Sequence, residues 1–216
     1  MSSPDVMKIY PMQKLSFHAR DLSKDQSGLA AIEFAMIFPM MVAMCYGVIE
    51  FSSAIAVDRK ATQVARMLSD LTSQSVSVAD ADLKNLGETA KAIMTPYPVA
   101  PLESSVTQVY VDKVTGVARV QWSKGLTISA TGLVSIAATA PHNKGDVVAL
   151  PAGLTKDDGK GNYVIWSEVK YTYTPAIGYM MSKTGITFND ASFTRPRLTL
   201  CVIYPTGSSA ACPPPV

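Results

Sequence analysis

Apolar and polar positions along this chain change their spacing three times, and each change predicts a different element. From Gly28 to Val57 the sequence is almost uninterruptedly apolar, broken only by the carboxylates Glu33 and Glu50. The residues between them, Phe34 to Ile49, carry no charge. A run of this length exceeds the ~20 residues that a helix needs to cross a bilayer. At ~1.5 Å rise per residue, Glu33 and Glu50 lie roughly 25 Å apart along such a helix, near opposite edges of a ~30 Å hydrocarbon core. The run predicts a membrane anchor over 29–57. A cleaved secretory signal has a shorter apolar region and a small-residue cleavage site, and this run has no convincing break of that kind. A buried core helix would need apolar residues on one stripe, not all round. Pro39 predicts a kink, Gly47 allows another helix to approach, and Cys45 reads as a packing thiol.

After Val57 the pattern becomes amphipathic. Ala54, Val57, Ala61, Val64, Leu68 and Leu71 recur at spacings of three and four, with Asp58, Arg59, Lys60, Gln63 and Arg66 opposite. The anchor therefore continues as an amphipathic helix over 58–75. A second helix starts at a cap supplied by Asp80 or Asp82 and presents Leu83, Leu86, Ala90 and Ile93, until Pro96 and Pro98 stop it.

From Ser105 the period is two. Strands are expected over Val106–Val111 and Gly116–Trp122, joined by an Asp112–Gly116 hairpin loop. Further strands are expected at Val147–Leu150, Val164–Thr174, Ile186–Phe188 and Arg197–Tyr204, with turns at 142–146 and 155–162. The fold class is α+β: a long N-terminal membrane helix with an amphipathic extension, a short helix, and a mainly antiparallel sheet domain over 76–216. Residues 1–28 lack apolar periodicity and read as a cytoplasmic leader or tail.

Charge and candidate chemistry change this picture little. The net charge of +2 and the lack of basic runs interleaved with aromatics argue against nucleic-acid binding. Four Lys/Arg precede the run and Arg59, Lys60 and Arg66 follow it, so the positive-inside bias for a cytoplasmic N-terminus is slight. The two histidines, His18 and His142, lie near no nucleophile motif, and His142 is expected to be a solvated loop residue. Asp157–Asn162 lacks EF-hand spacing, and Gly159-Lys-Gly161 lacks the spacing of a phosphate loop. No enzyme, cofactor, metal site or small-molecule substrate is expected. Cys201 and Cys212 are compatible with a disulfide in an oxidising compartment, or with two free or differently paired thiols.

Glu33 needs a reason, because a carboxylate in the apolar part of a helix costs roughly 2.5 kcal/mol or more. Either it is tolerated at the headgroup edge or it has a partner. The string from Ser27, Ser-Gly-Leu-Ala-Ala-Ile-Glu-Phe-Ala-Met-Ile-Phe-Pro, resembles the N-terminal signature of the TadE/TadG-like pseudopilins of the Tad (tight adherence, Flp-type) pilus machinery. Weaker matches follow in order: Val120-Gln-Trp-Ser123, Ser167-Glu-Val-Lys-Tyr171 before Thr174-Pro175, and Arg195-Pro-Arg197. The large TadG-type relatives carry an Asp-x-Ser-x-Ser metal motif, which Asp70-Leu-Thr-Ser-Gln does not satisfy, so a short TadE-type protein is the closer match.

The resemblance implies a minor pseudopilin in the bacterial inner membrane, with a cytoplasmic N-terminus and a periplasmic domain. It implies cleavage between Gly28 and Leu29 by a prepilin peptidase. It also implies partners among other pilus subunits and the inner-membrane platform. Glu33, beside Phe34, would then pair with the α-amine that cleavage frees on a neighbouring subunit. The rival expectation is an uncleaved anchor presenting the sheet domain to an envelope ligand.

Overall fold

The computed structural model describes residues 27–155, 163–175, 185–207 and Cys212. The chain divides into two compact units, Met1–Ile49 and Glu50–Val216. One helix, α1 (Ser27–Ser73), begins in the first and ends in the second, and it continues through Pro39. The leader, His18 and the 155–162 turn fall wholly or largely outside the described residues.

In the second unit the helix has partners. Ala54, Val57, Ala61, Val64 and Leu68 are buried, as the three-and-four spacing requires. The stripe ends differently from expectation: Leu71 is 38% exposed, and Thr72 and Ser73 are buried instead. Packing also begins at Ala54, inside the stretch that sequence alone gives to the membrane.

Helix α2 (Asp80–Met94) starts where the Asp82 carboxylate accepts the Ala79 N–H at 2.8 Å. Its buried face is Leu83, Gly87, Ala90 and Met94, with Leu86 and Ile93 only half-buried. Gly87 belongs there because the strand Val134–Ile136 is close: a Cβ on it would meet Val134 Cγ1 at 2.4 Å. At the other end of α2, Lys60 of α1 donates to the carbonyls of Ile93 (2.5 Å) and Thr95 (2.9 Å). A cation there satisfies the orphan carbonyls that close a helix.

The sheet comprises β1 (Leu102–Val111), β2 (Ala118–Ile128), β3 (Val134–Ile136), β4 (Val147–Val148), β5 (Tyr163–Tyr173) and β6 (Ile186–Thr194). Its order is β3-β2-β1-β5-β6, with β4 also on β2, and every pairing is antiparallel. The central β1 is buried on both faces. Its hairpin to β2 closes as expected: Gly116 takes φ +70° and its N–H bonds Asp112 O at 2.8 Å. One short helix, α3 (Ala152–Thr155), was not expected.

One strand expectation fails. Residues 197–204 form bends, with a single bridge between Ser77 and Ile203. Side chains supply the missing ladder: the Trp122 indole donates to Val202 O at 3.0 Å, and Val202 N–H donates to Gln108 Oε1 at 2.6 Å. The main core lies between α1, α2 and the inner sheet face, around Leu68, Leu83, Trp122, Ile165 and Tyr171. A smaller cluster of Val109, Val111, Ala118 and Val164 occupies the other face.

Candidate membrane and assembly site

In the first unit the apolar side chains of α1 face outward. Leu29, Ile32, Phe34, Met36, Met40, Met44 and Ile49 are each more than half exposed. This helix is long and apolar enough to cross a membrane, and none of its most apolar window is buried. An apolar surface of this extent is not stable in water and needs lipid or protein around it. Cys45 is a free, exposed thiol, not the buried packing thiol expected.

Gly28 sits in the first turn of α1, where backbone N–H groups lack intrahelical partners. Nothing beyond its own turn lies within 4 Å of where a Cβ would stand. Leu29 follows it, 59% exposed. Glu33 is exposed on the same helix, and the ring of Phe34 lies 5.4 Å from that of Phe38, one turn on. The four candidate residues, Gly28, Leu29, Glu33 and Phe34, thus lie exposed within the first turns of α1.

The second carboxylate is held quite differently. The Tyr173 phenol, at the end of β5, donates to Glu50 at 2.7 Å. Burial, then the bond and charge of Glu50, push the Tyr173 hydroxyl up to about 12. Sequence spacing could not reveal this pair, because 123 positions separate its members.

Further down α1 the contacts are mostly polar. Ser167 of β5 donates to Ala65 O at 2.5 Å. Ser69 donates to Ser192 at 2.9 Å and accepts from Thr194 at 3.0 Å. Arg197 forms an ion pair with Asp70, and its backbone N–H donates to Ser73 O. Two of the later motifs, those of Ser167 and Arg197, therefore serve to seat α1 on the sheet.

On the outer sheet face, His142 is not a free loop residue. Its Nε2 lies 2.8 Å from Glu168 Oε2 and its ring stacks on Trp166 at 4.7 Å. Ser105 also donates to Glu168, at 3.3 Å. The carboxylate takes both contacts, so Ser105 is directed at an acceptor that is not the histidine base a serine nucleophile needs. An open cavity of about 420 Å³ beside it is lined by Glu103, Ser105, Pro141, Glu168 and Lys170. Among the described residues, no group of three or more His, Cys, Asp or Glu is placed to hold a metal ion. The Sγ atoms of Cys201 and Cys212 are joined in a disulfide, and Tyr163 donates to Cys212 O at 2.6 Å.

Residues 28–69 match the family of TadE-like proteins. The chain carries a TadE-like domain. That domain begins at Gly28 and takes in Leu29, Glu33 and Phe34, the exposed apolar run, and α1 as far as Ser69. The later motifs around Trp122, Ser167 and Arg197 lie beyond the matched TadE-like residues. No curated protein and no solved structure matches the chain.

Proposed function

We propose that this chain is a non-enzymatic minor pseudopilin, anchored in the inner membrane, that assists Tad pilus biogenesis. The observation that carries the reading is an overlap. The TadE-like match over residues 28–69 takes in the whole exposed apolar stretch of α1 from Leu29 to Ile49. A prepilin peptidase would cut Gly28–Leu29. The freed α-amine would meet Glu33 of a neighbouring subunit, so that two charges enter lipid as a neutral pair. Pilus subunits and the inner-membrane platform are the partners this requires. The Cys201–Cys212 disulfide supports an oxidising, periplasmic location for the sheet domain.

The rival is an uncleaved anchor that offers the sheet domain to an envelope ligand. The outer-face cavity favours it, although Glu103, Glu168, Lys170 and Asp190 put four charged side chains among its lining residues.

Glu33→Ala separates the two readings. The substitution makes the helix more apolar, so membrane fractionation should find the variant fully inserted, while surface piliation is lost. Normal pili from an inserted Glu33→Ala chain would reduce Glu33 to a tolerated edge residue.

A further inference from the structure

We propose that the turn Thr95–Pro101 is a second, interfacial contact with the bilayer that holds α1, docking on the phospholipid headgroup layer. The inference rests on the membrane-anchor reading. It begins with composition: Thr-Pro-Tyr-Pro-Val-Ala-Pro carries no charge. Pro98 and Ala100 are exposed, while Tyr97 and Val99 are half-buried against the core.

The turn is fixed in place by two elements. Lys60 of α1 holds the carbonyls of Ile93 and Thr95, and the Tyr171 phenol donates to Pro98 O at 2.8 Å. Its height is fixed as well. Tyr97 lies close enough to Tyr173 to act on it electrostatically, and Tyr173 is bonded to Glu50. The turn therefore stands level with the stretch between Glu50 and Lys60, where the exposed apolar residues Phe51 and Ile55 of α1 also lie.

If Glu50 marks the hydrocarbon edge, the headgroup layer extends about 5–7 Å beyond it. The ten residues from Glu50 to Lys60 cover roughly 15 Å. The upper part of the turn is then inside that layer. Tyrosine and proline-rich, uncharged backbone suit it, since an aromatic ring with a polar tip is stable where apolar and wet regions meet. The Lys60 ammonium at the turn is taken up by the Ile93 and Thr95 carbonyls, and Lys170 and Glu103 are paired with each other at 3.1 Å. The far end of the domain has a different character. The β1–β2 hairpin tip, with Val114 92% exposed, lies about 30 Å away along β1 and carries Asp112 and Lys113.

The test uses the full chain in vesicles of phosphatidylethanolamine and phosphatidylglycerol that contain headgroup-spin-labelled lipid. Single cysteines are placed in a Cys45→Ser background at Ala100, Val114 or Met40 and labelled with a fluorophore. The disulfide keeps Cys201 and Cys212 from reacting. Ala100→Cys should be quenched several-fold more than Val114→Cys, and a second substitution, Pro98→Asp, should abolish the difference. A Met40 label inaccessible to water, with Ala100 quenched no more than Val114, would overturn the interfacial contact and leave the anchor standing. A Met40 label open to water would overturn both.

Discussion

Glu50 and Tyr173 are joined by a 2.7 Å hydrogen bond at the point where the apolar half of α1 gives way to the packed half. The phenol is the donor, so the bond exists only while Tyr173 is protonated. Burial and Glu50 together push that proton's loss up to about 12. A group whose folded value is raised stabilises fully below its unfolded value and loses that contribution as pH climbs through the folded one. The bond should therefore hold the domain below about pH 10 and fail between about pH 10 and 12. Tyr173→Phe should cost about 1 kcal/mol at neutral pH, the net worth of one hydrogen bond. It should also shrink the loss of stability on going from about pH 9 to about pH 11. Urea unfolding of the detergent-solubilised chain at both pH values checks this. Equal alkaline losses in the variant and the parent would remove the assigned role. Tyr163, Tyr171 and Tyr204 are also raised, so a smaller alkaline loss persists in the variant.

Gly87 is where α2 meets β3. An alanine normally improves a helix interior by about 0.5–1 kcal/mol, but forcing a methyl into a filled contact costs about 1–3 kcal/mol. With Val134 Cγ1 at 2.4 Å from the new Cβ, overpacking prevails. Gly87→Ala should lower the melting temperature, and adding Val134→Ala should restore part of it. A stabilised single variant would mean that β3 moves aside at no cost.

The extent to which the fold could be read from the chain varied with how far apart the deciding residues stand. The α1 stripe was legible because Ala54 to Leu68 decide it among themselves. Its end was not, because Thr72 is buried by tertiary neighbours that outweigh the apolarity of Leu71. Strand β6 extends to Thr194 through Asn189 and Asp190, poor strand formers that pairing with β5 accommodates at the end of the five-strand order. Leu198, Leu200 and Val202 alternate like a strand, yet Leu198 and Leu200 are exposed and the backbone bends towards the disulfide at Cys201. At the candidate site, Gly28 and Glu33 could be picked out from a local string. The partners of Glu50 and His142 could not, since Tyr173 and Glu168 come from a distant strand.

The disulfide gives a direct chemical expectation. Thiol labelling of unreduced, denatured protein should modify Cys45 alone, with Cys201 and Cys212 reacting only after reduction. Labelling of all three without reductant would contradict the pairing. Closing a loop with a sequence separation of 11 contributes roughly 3 kcal/mol in the chain-entropy account, so reduction should lower the urea midpoint measurably.

Processing at Gly28 is the central claim, and Edman sequencing of the chain recovered from its native membrane tests it most directly. Gly28 and Leu29 are exposed on α1, and Gly28 presents no side chain to an approaching peptidase. Gly28→Val disturbs no packing beyond its own turn, so a block in that variant would report on cleavage and not on folding. The account predicts a mature chain that begins Leu29-Ala-Ala-Ile-Glu33, and a Gly28→Val chain that keeps its leader. A wild-type chain that begins at Met1 in assembled pili would contradict it.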